Sequence, residues 1–251
     1  MNNTNRRNFL RNVSLGSLAA LSLPEIVAAA APAGKSPKIQ LKKDYTILFQ
    51  GDSITDVGRK KDNPDPNNSS ALGGGYAFLA ASEMLWQHAD KNLKTFNRGI
   101  SGNKVYQLAE RWDADCLALK PDVLSILIGV NDYWHTLSGK YNGTSKVYHD
   151  DFEKLLDRTK QQLPDVQLII GEPFAIKGVK AVDDSWFPTF KEYQAAAKEI
   201  ATKYKAIYIP YQAIFDKAIQ SAPAAYWTGD GVHPTVAGAR LMAQAWLDCV
   251  K

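Results

Sequence analysis

The run Val123-Leu124-Ser125-Ile126-Leu127-Ile128 is apolar at every position except Ser125. A strand with one wet face alternates apolar and polar side chains, whereas a strand covered on both faces by helices reads as a nearly continuous apolar run. The segment therefore predicts the central strand of a parallel sheet. Outward from it, shorter β-branched runs occupy Tyr45 to Gln50, Lys94 to Asn97, Val166 to Ile170 and Ala206 to Ile209. Helical patterns fall at Tyr76 to His88, Val105 to Leu119, Tyr148 to Gln162, Trp186 to Tyr204, Tyr211 to Ser221 and Pro234 to Val250. This alternation predicts a three-layer α/β/α domain on a five-stranded parallel sheet. The stretch from Arg59 to Gly75, rich in Asp, Asn, Pro, Ser and Gly, reads as a long surface loop beside the end of the first strand.

With 251 residues, 45% hydrophobic and 22% charged, the chain fits one large domain. Residues 1–33 read differently: Arg6 and Arg7 precede an uncharged, Ala- and Leu-rich stretch that ends in small residues, the layout of an export signal, with the paired arginines pointing to the twin-arginine route. Pro24 and Glu25 interrupt the apolar run well short of a membrane span. Removing this segment takes away three arginines and one glutamate, so the formal net charge falls from +4 to +2. A near-neutral domain from 34 to 251 calls for neither nucleic acid nor a membrane surface as partner. The two cysteines, Cys116 and Cys249, fit the apolar faces of helices and read as packed thiols rather than a bridge.

Ligands of an open parallel sheet bind beyond the carboxyl ends of its strands, so chemistry is expected there. Gly51-Asp52-Ser53-Ile54-Thr55-Asp56 follows the first strand, and a serine on such a turn is either a helix cap or an exposed nucleophile. Asp230-Gly231-Val232-His233-Pro234 leads into the last helix, with Pro234 suited to a first-turn position. An aspartate three residues before a histidine at a turn can hold Nδ1 and leave Nε2 free to take a serine proton. His88, His135 and His149 lack such a partner context; His88 falls at the end of a helix, and His149 precedes Asp150 and Asp151 at a helix start, where it should be solvated. Gly99-Ile100-Ser101-Gly102-Asn103 and Gly129-Val130-Asn131-Asp132 follow two further strands. The Ser53 and Gly102 N–H groups with the Asn131 amide supply three donors of the kind that a developing oxyanion needs.

Gly51-Asp52-Ser53, Gly102, Asn131 and Asp230-x-x-His233 resemble, in order and spacing, the four blocks of the SGNH (GDSL) hydrolases. The resemblance implies a flavodoxin-like fold, Ser53, Asp230 and His233 as catalytic residues, and Ser53, Gly102 and Asn131 as the oxyanion hole. Such a mechanism needs no cofactor, and no His-rich or Cys-rich ligand spacing in the sequence calls for a metal. Longer phrases, including Asn97 to Asn103 and Val232 to Gly238, are most similar to acetylxylan and xylooligosaccharide acetylesterases, so an acetylated oligosaccharide or another small ester is the expected substrate. Asp52 is expected to hydrogen-bond the turn and adjoin the substrate, and Tyr133, Trp134 and Trp227, with Tyr226, to form an aromatic rim for sugar stacking. The alternatives are a lysophospholipase or thioesterase of the same family acting on longer acyl chains, and a non-catalytic carbohydrate-binding protein. Composition leaves the oligomeric state open.

Overall fold

The computed structural model describes residues 38–251 and the single position Ile26. The rest of the expected export signal lies outside the described residues. The strands are β1 (Thr46–Gly51), β2 (Lys94–Asn97), β3 (Val123–Leu127), β4 (Gln167–Gly171) and β5 (Ile207–Ile209), close to their expected limits. All neighbouring pairs are parallel, in the order β2-β1-β3-β4-β5, so the run Val123 to Leu127 is central and buried throughout. This is the flavodoxin-like order, whose ligand crevice lies where the chain reverses direction, between β1 and β3.

The helices are α1 (Ser53–Asp56), α2 (Ser69–Leu72), α3 (Tyr76–Gln87), α4 (Val105–Glu110), α5 (Trp112–Asp115), α6 (Val130–Leu137), α7 (Ser145–Gln162), α8 (Phe190–Lys203), α9 (Tyr211–Ala218), α10 (Ala224–Trp227) and α11 (Val236–Leu247). Alternation along β1 shows how the layers attach. Phe49 meets Trp246 of α11 at 4.9 Å, while its neighbour Gln50, pointing to the other face, donates to the Asp115 carbonyl of α5 at 2.8 Å. Ser125, the one polar residue of the central run, lies in register with Phe49 and accepts the Trp246 indole N–H at 3.0 Å. Its hydroxyl is therefore buried without loss of a partner.

Several expectations are corrected. The helix expected over Val105 to Leu119 breaks at Arg111, whose guanidinium is drawn to the Arg98 carbonyl, Asn103 Oδ1 and Asp115. The one expected from Trp186 begins only at Phe190, because Pro188 has no N–H and forces Phe187 into an extended conformation. The last helix starts at Val236 rather than Pro234, with Thr235 as its cap. The Arg59 to Gly75 stretch is not simply a surface loop. Ala71 and Leu72 are buried in α2, and Arg59 is buried with its Nε donating to the Gly99 carbonyl at 2.7 Å. Cys116 and Cys249 are free and buried, and burial pushes both thiols up to about 12.

Candidate active site

The turn after β1 is forced tight by its neighbours. A Cβ on Gly51 would lie 2.3 Å from the Leu127 carbonyl oxygen and 2.5 Å from Thr55 Oγ1. Asp52 caps α1: its Oδ1 accepts the Ile54 N–H at 3.0 Å. With Asp52 as the cap, the Ser53 hydroxyl is free for other chemistry, and it lies 2.8 Å from His233 Nε2. On the far side of the ring, His233 Nδ1 is 2.7 Å from Asp230 Oδ2.

The Asp230–His233 loop orders itself. Asp230 Oδ1 accepts the N–H of Val232 at 2.9 Å and of His233 at 2.8 Å, which leaves Oδ2 for the imidazole. Burial pushes the Asp230 carboxyl up, but the His233 N–H, the imidazole and the Val232 N–H outweigh it and hold the group below its ordinary value. A carboxylate there keeps the ring proton on Nδ1 and presents Nε2 as an acceptor to Ser53. The imidazole is 40% exposed, so a small ester reaches it.

β1 lies between β2 and β3, which brings the loops after all three strands side by side. In the β2 loop, Asp56 Oδ2 accepts the Ser101 N–H and hydroxyl at 2.9 and 2.8 Å, and Asn97 Oδ1 accepts the Gly99 N–H at 2.8 Å. Gly102 has φ +82 and open space where a Cβ would be. Neither the Ser53 nor the Gly102 N–H has a protein acceptor among the described residues. Asn131, 4% exposed at the start of α6, gives one amide hydrogen to the Asn103 carbonyl at 3.3 Å, leaving the other uncommitted. Two backbone donors and one fixed amide on adjacent loops suit a developing negative charge.

The expected aromatic rim is only partly present. Tyr133 is 4% exposed, packed among Trp186, Phe190 and Tyr193, with its hydroxyl donating to the Ser185 carbonyl at 3.0 Å. Trp227 is likewise turned inward, toward the Ala222 carbonyl. Asp52 is fully buried and faces no open space. Trp134 alone of those residues is partly exposed beside the site, its ring 6.1 Å from that of His233, and Tyr226, edge-on to Trp227, is 56% exposed.

Sequence reasoning passed over Asp132, which is 1% exposed and accepts the Val105 N–H at 3.2 Å through Oδ1. Burial pushes the Asp52 and Asp132 carboxyls up to about 7, and for Asp132 the nearby Asp52 adds to the effect. Its place next to Asn131 was the available signal; its burial was not readable. No cluster of His, Cys, Asp and Glu among the described residues suits a metal ion, and no helix there is long and apolar enough to cross a membrane.

Comparison with known proteins agrees with this geometry. Residues 49–241 match the model of the GDSL-like Lipase/Acylhydrolase family. An acetylxylan esterase of Geobacillus stearothermophilus is 35% identical over 204 residues, covering 80% of this chain and 91% of that protein. The crystal structure of an acetylxylan esterase from the same species superposes with a TM-score of 0.72 over 82% of this chain and 94% of its own, at 31% identity. A structure from Parabacteroides merdae described as a GDSL-like lipase superposes with a TM-score of 0.83 at 50% identity, over 85% of this chain and 98% of its own. A flavodoxin-like sheet with Ser53 and His233 in contact at the crevice, joined to these likenesses, shows that the chain belongs to the GDSL-like lipase/acylhydrolase family, the SGNH hydrolases near the acetylxylan esterases, and is a carboxylic ester hydrolase.

Proposed function

We propose that the chain is a serine esterase that removes acetyl groups from xylan-type oligosaccharides or polysaccharides through an acyl-enzyme. The observation that carries this reading is the unbroken run of hydrogen bonds from Ser53 Oγ through His233 to Asp230, at 2.8 and 2.7 Å. His233 Nε2 takes the Ser53 proton as Oγ bonds to the acetyl carbonyl carbon, and the resulting oxyanion accepts the N–H groups of Ser53 and Gly102 and the Asn131 amide. Collapse expels the sugar alkoxide, which receives the proton from His233. Water then attacks the acetyl-serine with His233 again as base, releasing acetate and restoring Ser53.

Support comes from the G. stearothermophilus acetylxylan esterase, whose catalytic mutants carry alanine at a serine, at an aspartate and at a histidine three positions beyond that aspartate. Trp134, partly exposed with its ring 6.1 Å from that of His233, is suited to stack on a sugar at the site, and Tyr226, 56% exposed, offers a second ring surface. The paired arginines and apolar stretch of residues 1–33 support export to the periplasm or the medium. Mass spectrometry of acetylated xylooligosaccharides incubated with wild type and Ser53→Ala tests the reading. Loss of acetyl groups only with wild type is expected. Equal loss with both sinks the Ser53 assignment, and a preference for p-nitrophenyl octanoate over acetate favours long-chain acyl hydrolysis instead.

A further inference from the structure

The loop after β2 is stitched to α6 by three contacts. The Asn131 amide donates to the Asn103 carbonyl at 3.3 Å, the Val105 N–H donates to Asp132 Oδ1 at 3.2 Å, and Lys104 Nζ donates to His135 Nδ1 at 3.1 Å. Asn131 and His135 are four residues apart, one turn along the same face of α6. Gly102 immediately precedes this seam and Asn131 begins it, so the seam sets how far apart two of the three proposed oxyanion donors stand.

Lys104 is a costly residue to place there. It is 6% exposed, and its polar contacts are His135 Nδ1 and Gln107 Oε1 at 3.2 Å, both uncharged, with the rings of Tyr106 and Tyr141 at 5.6 and 5.3 Å from Nζ. An ammonium has donors and no acceptor, so His135 Nδ1 must be unprotonated and its ring neutral. Burial lowers the pKa of both groups; Lys104 and Lys140 lower that of His135 further, while Asp132 partly offsets the shift of Lys104. The neutral ring and the charged amine are thus matched partners.

We propose that Lys104 and His135 are positioning residues for ester hydrolysis: their contact locks the Gly102 loop against α6 and so holds the Gly102 N–H and the Asn131 amide at the spacing an oxyanion needs. The inference rests on the oxyanion-hole reading above. Removing a whole oxyanion donor typically costs about 10²- to 10³-fold in kcat; loosening its support costs less, roughly tenfold.

The test measures kcat and KM on p-nitrophenyl acetate, with thermal unfolding of each variant. His135→Leu is expected to lower kcat roughly tenfold with KM within about twofold of wild type, and His135→Asn, whose carboxamide oxygen stands near the position of Nδ1, to restore most of it. Lys104→Met gives the same loss and serves if His135→Leu does not fold. In an Asn131→Ala background, His135→Leu adds much less than it costs alone, because both act on one donor set. If Asn131→Ala is impaired while His135→Leu keeps full kcat, or if the two losses multiply in full, the positioning role is wrong although the oxyanion hole stands. If Asn131→Ala itself keeps full kcat, the oxyanion-hole reading fails and this inference with it.

Discussion

Asp230→Asn isolates the orientation of the imidazole from the fold that holds it. In wild type, Asp230 Oδ1 accepts two backbone N–H groups and Oδ2 accepts Nδ1–H. The variant keeps one carboxamide oxygen, which the two N–H groups of residues 232 and 233 claim, and turns its NH₂ toward Nδ1. Two donors then face each other unless the ring proton moves to Nε2, where it points at Ser53 Oγ and blocks proton transfer. Restoring the useful tautomer leaves a mispaired donor, at about 1–3 kcal/mol, and the imidazolium formed during attack loses a charge-assisted hydrogen bond of about 1.5–3 kcal/mol. Together these amount to roughly 4–5 kcal/mol, or about 10³- to 10⁴-fold in kcat, in line with the effect of the same change in other serine hydrolases. Steady-state hydrolysis of p-nitrophenyl acetate measures the loss, and circular dichroism checks that the loop persists. A well-folded variant within tenfold of wild-type kcat would refute the reasoning.

Three further outcomes are expected. Asp52 has its carboxyl pushed up to about 7 from 3.8, so between those values the folded protein keeps a proton that the unfolded chain releases, and stability falls by up to about 4 kcal/mol as pH rises from about 4 to 7. Asp52→Asn does not titrate, so its Tm relative to wild type should be higher at pH 8 than at pH 5; an equal difference at both would show that Asp52 is not buried as described. Gly51→Ala pushes a methyl to 2.3 Å from a backbone oxygen of β3, which should cost about 3 kcal/mol or more, read as a large drop in the urea midpoint, and an unchanged midpoint would contradict the tight turn. Tyr226→Ala should raise KM for acetylated xylooligosaccharides roughly 2- to 10-fold, more than for p-nitrophenyl acetate, if its exposed ring stacks on sugar.

The layer order was legible because burial on both faces leaves a compositional trace: the apolar run of β3 and the alternation of strands with helical patterns predicted the sheet nearly to the residue. The places where helices break were less so. Pro188 announces one break, but Arg111 ends a helix through contacts with Arg98 and Asn103, which no local pattern encodes. Short helices such as α1, α2 and α10 span one turn and carry no periodicity to read. Aromatic side chains misled for a related reason. Tyr133 and Trp227 lie next to site residues in sequence, yet which way a ring turns depends on what packs against it, and here Trp186, Phe190 and Tyr193 draw Tyr133 inward.

By itself the sequence determined a parallel α/β sheet, the strand ends where chemistry belongs, and the residue types found there. On its own segment Ser53 suits a cap or a nucleophile equally, and it was the distant blocks Gly102, Asn131 and Asp230-x-x-His233, with the resemblance they carry, that pointed to the nucleophile. The tertiary structure makes Asp52 the cap and brings His233, 180 positions away, to 2.8 Å from the free hydroxyl, the arrangement that the proposed nucleophile needs. The raised carboxyls of Asp52 and Asp132 and the contact of Lys104 with His135 likewise come from desolvation and distance. Those quantities exist only once distant parts of the chain have excluded water together.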